Sequence, residues 1–278
     1  MAKITSLANV RGTGEVVEAN TDFYNGLLAL KEAGAHLITP RNEMRARMVT
    51  DGKENIGKGC GTWTAAGFEY AKRSDVLLRL NSRLINPRLA EKVVEANRQR
   101  SYFSSTDTRF YDKTAEQAEQ DKNKAPEERK ILILPSRTTF QITPQNNMEV
   151  LNFLLRSSEL AKQYFEFNGS TPITTYLVNN DVVNSQDGTL MTQLWLCGRG
   201  GDDRSGLDGL SRDLDDSGRV HGVRESGQTG EASLQKVLPY TLREVEKYVK
   251  IVQGVRGGKL PASRLEQVAT FLGKLGVK

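Results

Sequence analysis

The sequence predicts an α+β protein, a mixed/antiparallel sheet with flanking helices. Three observations carry that expectation. Several segments place apolar residues at helical spacing behind a capping residue, short β-rich runs alternate with them, and the chain is long enough to bury a core without covalent staples. At 278 residues it is 37% hydrophobic and 26% charged, with only Cys60 and Cys197 as thiols, so a disulfide scaffold or a cysteine zinc site is not expected.

The elements follow in chain order. The opening "MAKITSLANVRGTGEVVEA" holds no apolar core of signal-peptide length, and no run is long enough to span a bilayer. A location in the cytoplasm or in a phage or virus particle is expected. In "TDFYNGLLALKEAG", Thr21 reads as an N-cap, with Phe23, Leu27, Leu28 and Leu30 as the apolar stripe and Gly34 as the stop. "NPRLAEKVVEANRQR" begins with Asn86 as cap and Pro87 at the first helical position, which turns Leu89, Val93, Val94 and Ala96 inward. "TPQNNMEVLNFLLRSSELAKQYFEF" repeats the device with Thr143 and Pro144 and carries Met148, Leu151, Leu154, Leu155 and Leu160 at helical spacing.

Between these lie the strands. "KILILP" is a short apolar run, and the β-rich runs on either side of Asp187-Gly188 predict a hairpin over 172–197. The charged, apolar-poor segment 112–130 reads as a solvated helix or a flexible link. It predicts an N-terminal part over 1–111 and a C-terminal part over 131–278, unless the whole is a single domain. A capping box at Thr241 and Glu244 opens one helix near the end of the chain, and "PASRLEQVATFLGKLG" supplies another.

Chemical motifs are sparse. "GKENIGKG", Gly52 to Gly59, nearly spells a phosphate loop with Lys58 in place, but Gly59 stands where a magnesium-binding hydroxyl is needed. His36 and His221 have no acidic or cysteine neighbour within their own element, so no histidine site is expected. "DLDDSG" sets Asp213, Asp215 and Ser217 at the first, third and fifth positions of a calcium loop, and the bidentate Glu fails at Arg224. A non-enzymatic protein with no cofactor is the expectation, and the net charge of +5 permits weak nucleic-acid binding without requiring it.

The segment 196–225, "LCGRGGDDRSGLDGLSRDLDDSGRVHGVRE", stands apart. It lacks Lys, Gln, Met and Trp, and Glu appears only at its last residue, Glu225. Leu207, Leu210 and Leu214 recur through it among Asp, Gly, Ser and Arg, the pattern of an irregular surface held by small apolar anchors. A Trp-containing strand precedes it, and "RVHGVRE" follows as a strand returning to the sheet, with Val220 and Val223 bracing it. Asparagine-type codons randomised at their adenines reach Asp, Gly, Ser, Arg, Leu, His and Tyr and never reach Lys, Glu, Gln, Met or Trp. With that bias, the stretch from Ile173 to Glu225 resembles the variable region in the variable proteins of diversity-generating retroelements.

That resemblance implies a C-type-lectin-like fold in the C-terminal half and a ligand-binding surface on the loop 199–221. Residue by residue it implies that Arg199, Asp202, Asp203, Arg204, Asp208, Ser211, Asp213, Asp215, Asp216, Ser217 and His221 are displayed. Leu207, Gly209, Leu210 and Leu214 become scaffold, and the implied partner is a protein or another macromolecule.

A second reading, from a different class, is a nucleic-acid-binding or assembly protein. It rests on "RNEMRARM" (41–48) and on 97–111, where Arg residues stand beside Tyr102, Phe103, Phe110 and Tyr111. Guanidinium groups would hold phosphates there while the rings stack on bases.

Overall fold

The computed structural model describes residues 2–50, 56, 61–107, 109–197, 206–210, 214–216 and 218–224. The chain divides into two compact units, Met1–Ser226 and Gly227–Lys278. The second unit, with both helices expected there, lies outside the described residues.

The first unit is an α+β structure built on one mixed sheet. A hairpin opens it, β1 (Ile4–Val10) against β2 (Gly14–Thr21), followed by α1 (Phe23–Glu32), the short β3 (His36–Leu37) and α2 (Pro40–Thr50). Then come β4 (Thr62–Tyr70), β5 (Leu77–Arg79), α3 (Pro87–Arg98), β6 (Ser104–Ser105), α4 (Arg109–Asp121) and β7 (Ile131–Ile133). The remainder is β8 (Phe140–Ile142), α5 (Met148–Leu155), α6 (Ser158–Phe167), β9 (Ile173–Tyr176), α7 (Asn180–Ser185), β10 (Thr189–Cys197), β11 (Gly206–Asp208) and β12 (Gly218–Arg224). The sheet runs β1-β2-β12-β4-β10-β11-β9-β8, with β5 and β7 extending from β4, β3 on β12 and β6 on β10. Only the β12–β4 and β11–β9 pairings are parallel among the described strands.

The sequence places α1 and α3 well. Asp22, one residue after the expected Thr21, caps α1 by accepting from Asn25 N at 2.8 Å. The helix stops where Gly34 turns to φ +67° and Ala35 N returns to Leu30 O. Asn86 caps α3 through Arg88 N at 3.0 Å, with Pro87 opening the helix and Val93 and Val94 buried.

Elsewhere tertiary structure overrides the local pattern. The long helix expected after Thr143 is two helices, because Arg156 takes a left-handed conformation at φ +56° and Ser157 then caps α6 through Leu160 N. The run 172–197 is no hairpin: α7 separates β9 from β10, and β11 pairs with both. The segment 112–130 contains most of α4, which packs Tyr111 and Ala118 against Leu77 of β5 and Ile131 of β7. Those two strands pair with each other, so the residues before and after the charged segment share one sheet within one compact unit.

All nine residues of central β4 are buried; Thr62, Trp63, Thr64, Phe68 and Tyr70 favour a strand, while Ala65, Ala66 and Gly67 interrupt that pattern in its middle. A methyl group at Gly67 would lie 2.7 Å from Thr192 O of the neighbouring β10, so no other residue fits.

Period-two alternation sends β10 to two cores. Leu190, Leu194 and Leu196 join α5 and α6 in one cluster, while Met191 and Trp195 pack with α1 and α3 in the other.

Candidate functional site

The tract singled out by composition leaves the sheet at Cys197, the last residue of β10, and returns to it at Gly218, the first of β12. Its described parts are fixed at three places. The first is β11, where Leu207 pairs with Leu196 on one side and Thr175 on the other. Gly209 continues the anchor by donating its N–H to Tyr176 O at 2.9 Å and accepting from the Tyr70 hydroxyl at 3.3 Å. A Cβ at Gly209 would sit 2.7 Å from the Phe68 ring, so the backbone makes this approach only as glycine.

The second place is Leu214, fully buried in the α1–α3 cluster. Its N–H donates to Asn97 Oδ1 of α3 at 3.3 Å and its carbonyl accepts from Phe23 N of α1 at 2.9 Å. Burying such a side chain is worth about 1.5–3 kcal/mol, and both backbone groups are satisfied besides. The third place is Gly218, whose Cβ would lie 2.2 Å from the Trp63 ring. Trp63 stacks edge-on with Trp195 at 4.7 Å and with Phe23 at 5.8 Å, so the return point rests on a rigid aromatic cluster.

A buried set of charges ties the two ends of the tract together. Arg47 of α2 donates from Nη1 to Cys197 O at 2.8 Å and from Nη2 to Leu196 O at 3.0 Å, holding the end of β10. Its Nε donates to Glu43 Oε1 at 2.9 Å. Glu43 Oε2 lies 3.0 Å from His221 Nδ1 of β12, and His221 Nε2 lies 3.3 Å from Glu18 Oε2 of β2. Arg219 approaches the same Glu18 oxygen at 3.5 Å.

Both ring nitrogens of His221 face carboxylates, which only accept, so the geometry is satisfied by the doubly protonated imidazolium. Burial alone would favour the neutral ring, but Glu43 and Glu18 outweigh it and raise the His221 pKa. Burial would likewise raise Glu43, and the charges of His221 and Arg47 instead hold it down at about 2.

The expected surface residues are distributed unevenly. Arg199, Asp202, Asp203, Arg204, Ser211, Asp213 and Ser217 lie outside the described residues. Asp216 is exposed, Asp208 and Asp215 are half-buried, and Asp208 Oδ1 accepts from Leu210 N at 2.6 Å. His221 is corrected: at 1% exposure its side chain is enclosed by Glu43 and Glu18 and reaches no surface. Among the expected scaffold residues Leu207, Gly209 and Leu214 are buried, whereas Leu210 is 37% exposed and belongs to the surface.

In the sequence Glu43 and Arg47 stand only within the Arg-rich segment 41–48. Their i, i+4 spacing beside Met44 and Ala46 was the available signal for a buried pair.

The stacking reading loses its free rings. Tyr102, Phe103 and Phe110 pack against the core clusters, and Tyr111 is buried with its hydroxyl donating to Asp75 O at 2.6 Å.

Of the near-phosphate loop 52–59 only Ile56 is described, buried beside Val10, Val16 and Val223. Among the described residues no cluster of three acidic, histidine or cysteine groups could hold a metal ion, and no helix is long and apolar enough to cross a membrane. Cys197 is a free thiol that burial pushes up to about 11, too high to act as a ready thiolate.

No protein-family model matches the sequence, and no curated protein matches it. The chain is similar to a solved Nanoarchaeota structure reported for the accommodation of massive sequence variation by the C-type lectin fold. The two are 12% identical, the match covers 80% of this chain and 95% of that one, and the TM-score is 0.47.

Proposed function

We propose that this is a non-enzymatic ligand-binding protein whose 199–221 tract forms a recognition surface of the kind diversified in the variable proteins of retroelements. One observation carries the reading. The tract is pinned at β11, Leu214 and Gly218, while Leu210, Asp215 and Asp216 between those pins, and Asp208 at the end of β11, keep solvent access. Pinned backbone with solvent-accessible side chains separates folding from recognition: the anchors hold the backbone, and the intervening residues determine what it binds. The partner this suits is a folded protein or another macromolecule, recognised by Asp and Arg side chains and the exposed Leu210.

The test is a pair of libraries selected for binding to one folded protein, hen lysozyme. One library randomises Arg199, Asp202, Asp203, Arg204, Asp208, Asp215 and Asp216, and the other randomises an equal number of exposed positions on α3 and α4. The expected result is a mostly folded tract library that yields binders. A tract library in which most members fail to fold, or which yields no more binders than the control, sinks the proposal. Diversification itself is tested at the level of DNA. A near-copy of the sequence encoding 196–224 beside a reverse transcriptase gene, differing mainly at adenines, is the expected finding.

A further inference from the structure

We infer that a second site, a basic cleft remote in sequence from the tract, binds a small polyanion carrying several phosphate groups. The cleft has a volume of about 730 Å³, within the size range of small-molecule sites. Arg41 from the first turn of α2, Arg79 and Arg83 around the end of β5, Lys113 of α4, Lys130 before β7 and Arg156 after α5 all line it. No described aspartate or glutamate does. A smaller cleft of about 560 Å³ shares Arg79 and Arg83 and adds Arg88 and Lys92, again without a described carboxylate.

The charge is not neutralised from behind. Glu69, 3% exposed, reaches Arg83 at 3.1 Å and Arg79 at 3.8 Å through one oxygen, and its other oxygen has no hydrogen-bond partner. One carboxylate serves two guanidinium groups, and among the described residues no carboxylate pairs with Arg41, Lys113, Lys130 or Arg156, the last of which donates to the Arg129 carbonyl. Gathering so many like charges in one concave surface costs free energy that a polyvalent anion recovers.

Four of the six cations are arginines, whose planar fork matches phosphate oxygens two at a time. The Phe110 ring, the aromatic lining the smaller cleft, is covered by Arg83 with the guanidinium carbon 4.8 Å from the ring centre. The face that Arg83 covers is closed to a stacked base, which favours a compact phosphorylated molecule over a nucleic-acid strand.

The measurement is calorimetric titration of the full chain with inorganic triphosphate, at low salt and again at near-physiological salt. One saturable site, weakened by salt, is expected. Lys113→Gln/Lys130→Gln removes two exposed cations without touching the core, so its unfolding midpoint should match the parent while triphosphate binds about tenfold more weakly or worse. Arg41→Gln should weaken it independently.

Undiminished binding by both variants, or no saturable binding by the parent, overturns the proposal. So does citrate binding as tightly as triphosphate, which would make the site a general carboxylate receptor. An oligonucleotide that outcompetes triphosphate by orders of magnitude would overturn it too, by making the occupant a strand. Tract variants should leave triphosphate binding unchanged, which separates failure here from failure of the display reading.

Discussion

Two buried glutamates in this molecule, Glu43 and Glu69, are each flanked by cations and have opposite consequences. Glu43 divides its oxygens between Arg47 and His221, Arg47 also donates from Nη1 and Nη2 to two backbone carbonyls, and His221 finds Glu18 on its far side. That set is closed and its charges are matched in place. Glu69 offers one oxygen to two arginines that also line an open cleft, and its second oxygen is unpaired. A closed buried network fixes backbone, here the two ends of a surface tract. An open one leaves charge over for a ligand. Satisfaction of each donor and acceptor, more than burial itself, separates a clamp from a binding site.

The comparison breaks most readily at Arg47. Arg47→Ala takes one of the two partners of the fully buried Glu43 and the side-chain donors of the Leu196 and Cys197 carbonyls, and denaturant unfolding should show a loss of about 3–5 kcal/mol. Arg83→Ala should cost clearly less, because Arg79 still reaches Glu69 and solvent reaches the site. Equal losses would remove the distinction.

Next in size are the apolar anchors. Leu214→Ala should destabilise by about 2–4 kcal/mol, whereas Leu210→Ala, at an exposed position, should be close to neutral. Gly218→Ala drives a methyl group into Trp63 and should cost about 1–3 kcal/mol, visible also as a change in tryptophan fluorescence.

The clamp should also respond to pH with a determined sign. Glu43 has a folded pKa of about 2, below its ordinary 4.5, so its contribution is present above 4.5 and is lost as pH falls toward about 2. His221 is raised above 6.5, so its contribution is present below 6.5 and is lost as pH rises through the higher folded value. Unfolding midpoints of the parent should therefore fall on both the acid and the alkaline side, and His221→Gln should flatten the alkaline fall. A parent curve that stays flat above neutrality would mean the ring is neutral in the folded protein. The smallest effect is expected for Asp216→Ser, within about 0.5 kcal/mol, since its exposed side chain supports no other element.

Parts of this architecture were readable in the chain because their causes are local. Asn86 followed by Pro87 starts α3, Gly34 ends α1, and the apolar alternation from Leu190 to Leu196 forms a strand. The tract's anchors Leu207 and Leu214 and its returning strand were legible from the same local spacing, although that spacing also marked Leu210, which lies on the surface.

Elements whose cause lies far away in sequence were not readable. The β4 strand is a strand because β10, β12 and β5 pair with it. The helix break at Arg156 lies inside an unbroken helical pattern. His221 looked like a surface residue until Glu43, 178 residues away in the chain, was brought to its ring.

From sequence alone came the caps, the apolar periodicities and the biased composition of 196–225, since each depends on neighbours within a few residues. Tertiary structure alone decided which charges are buried, which are matched and which remain open to a ligand. Charge pairing depends on distance in space, and residues remote in the chain come within 3 Å only when the sheet has assembled.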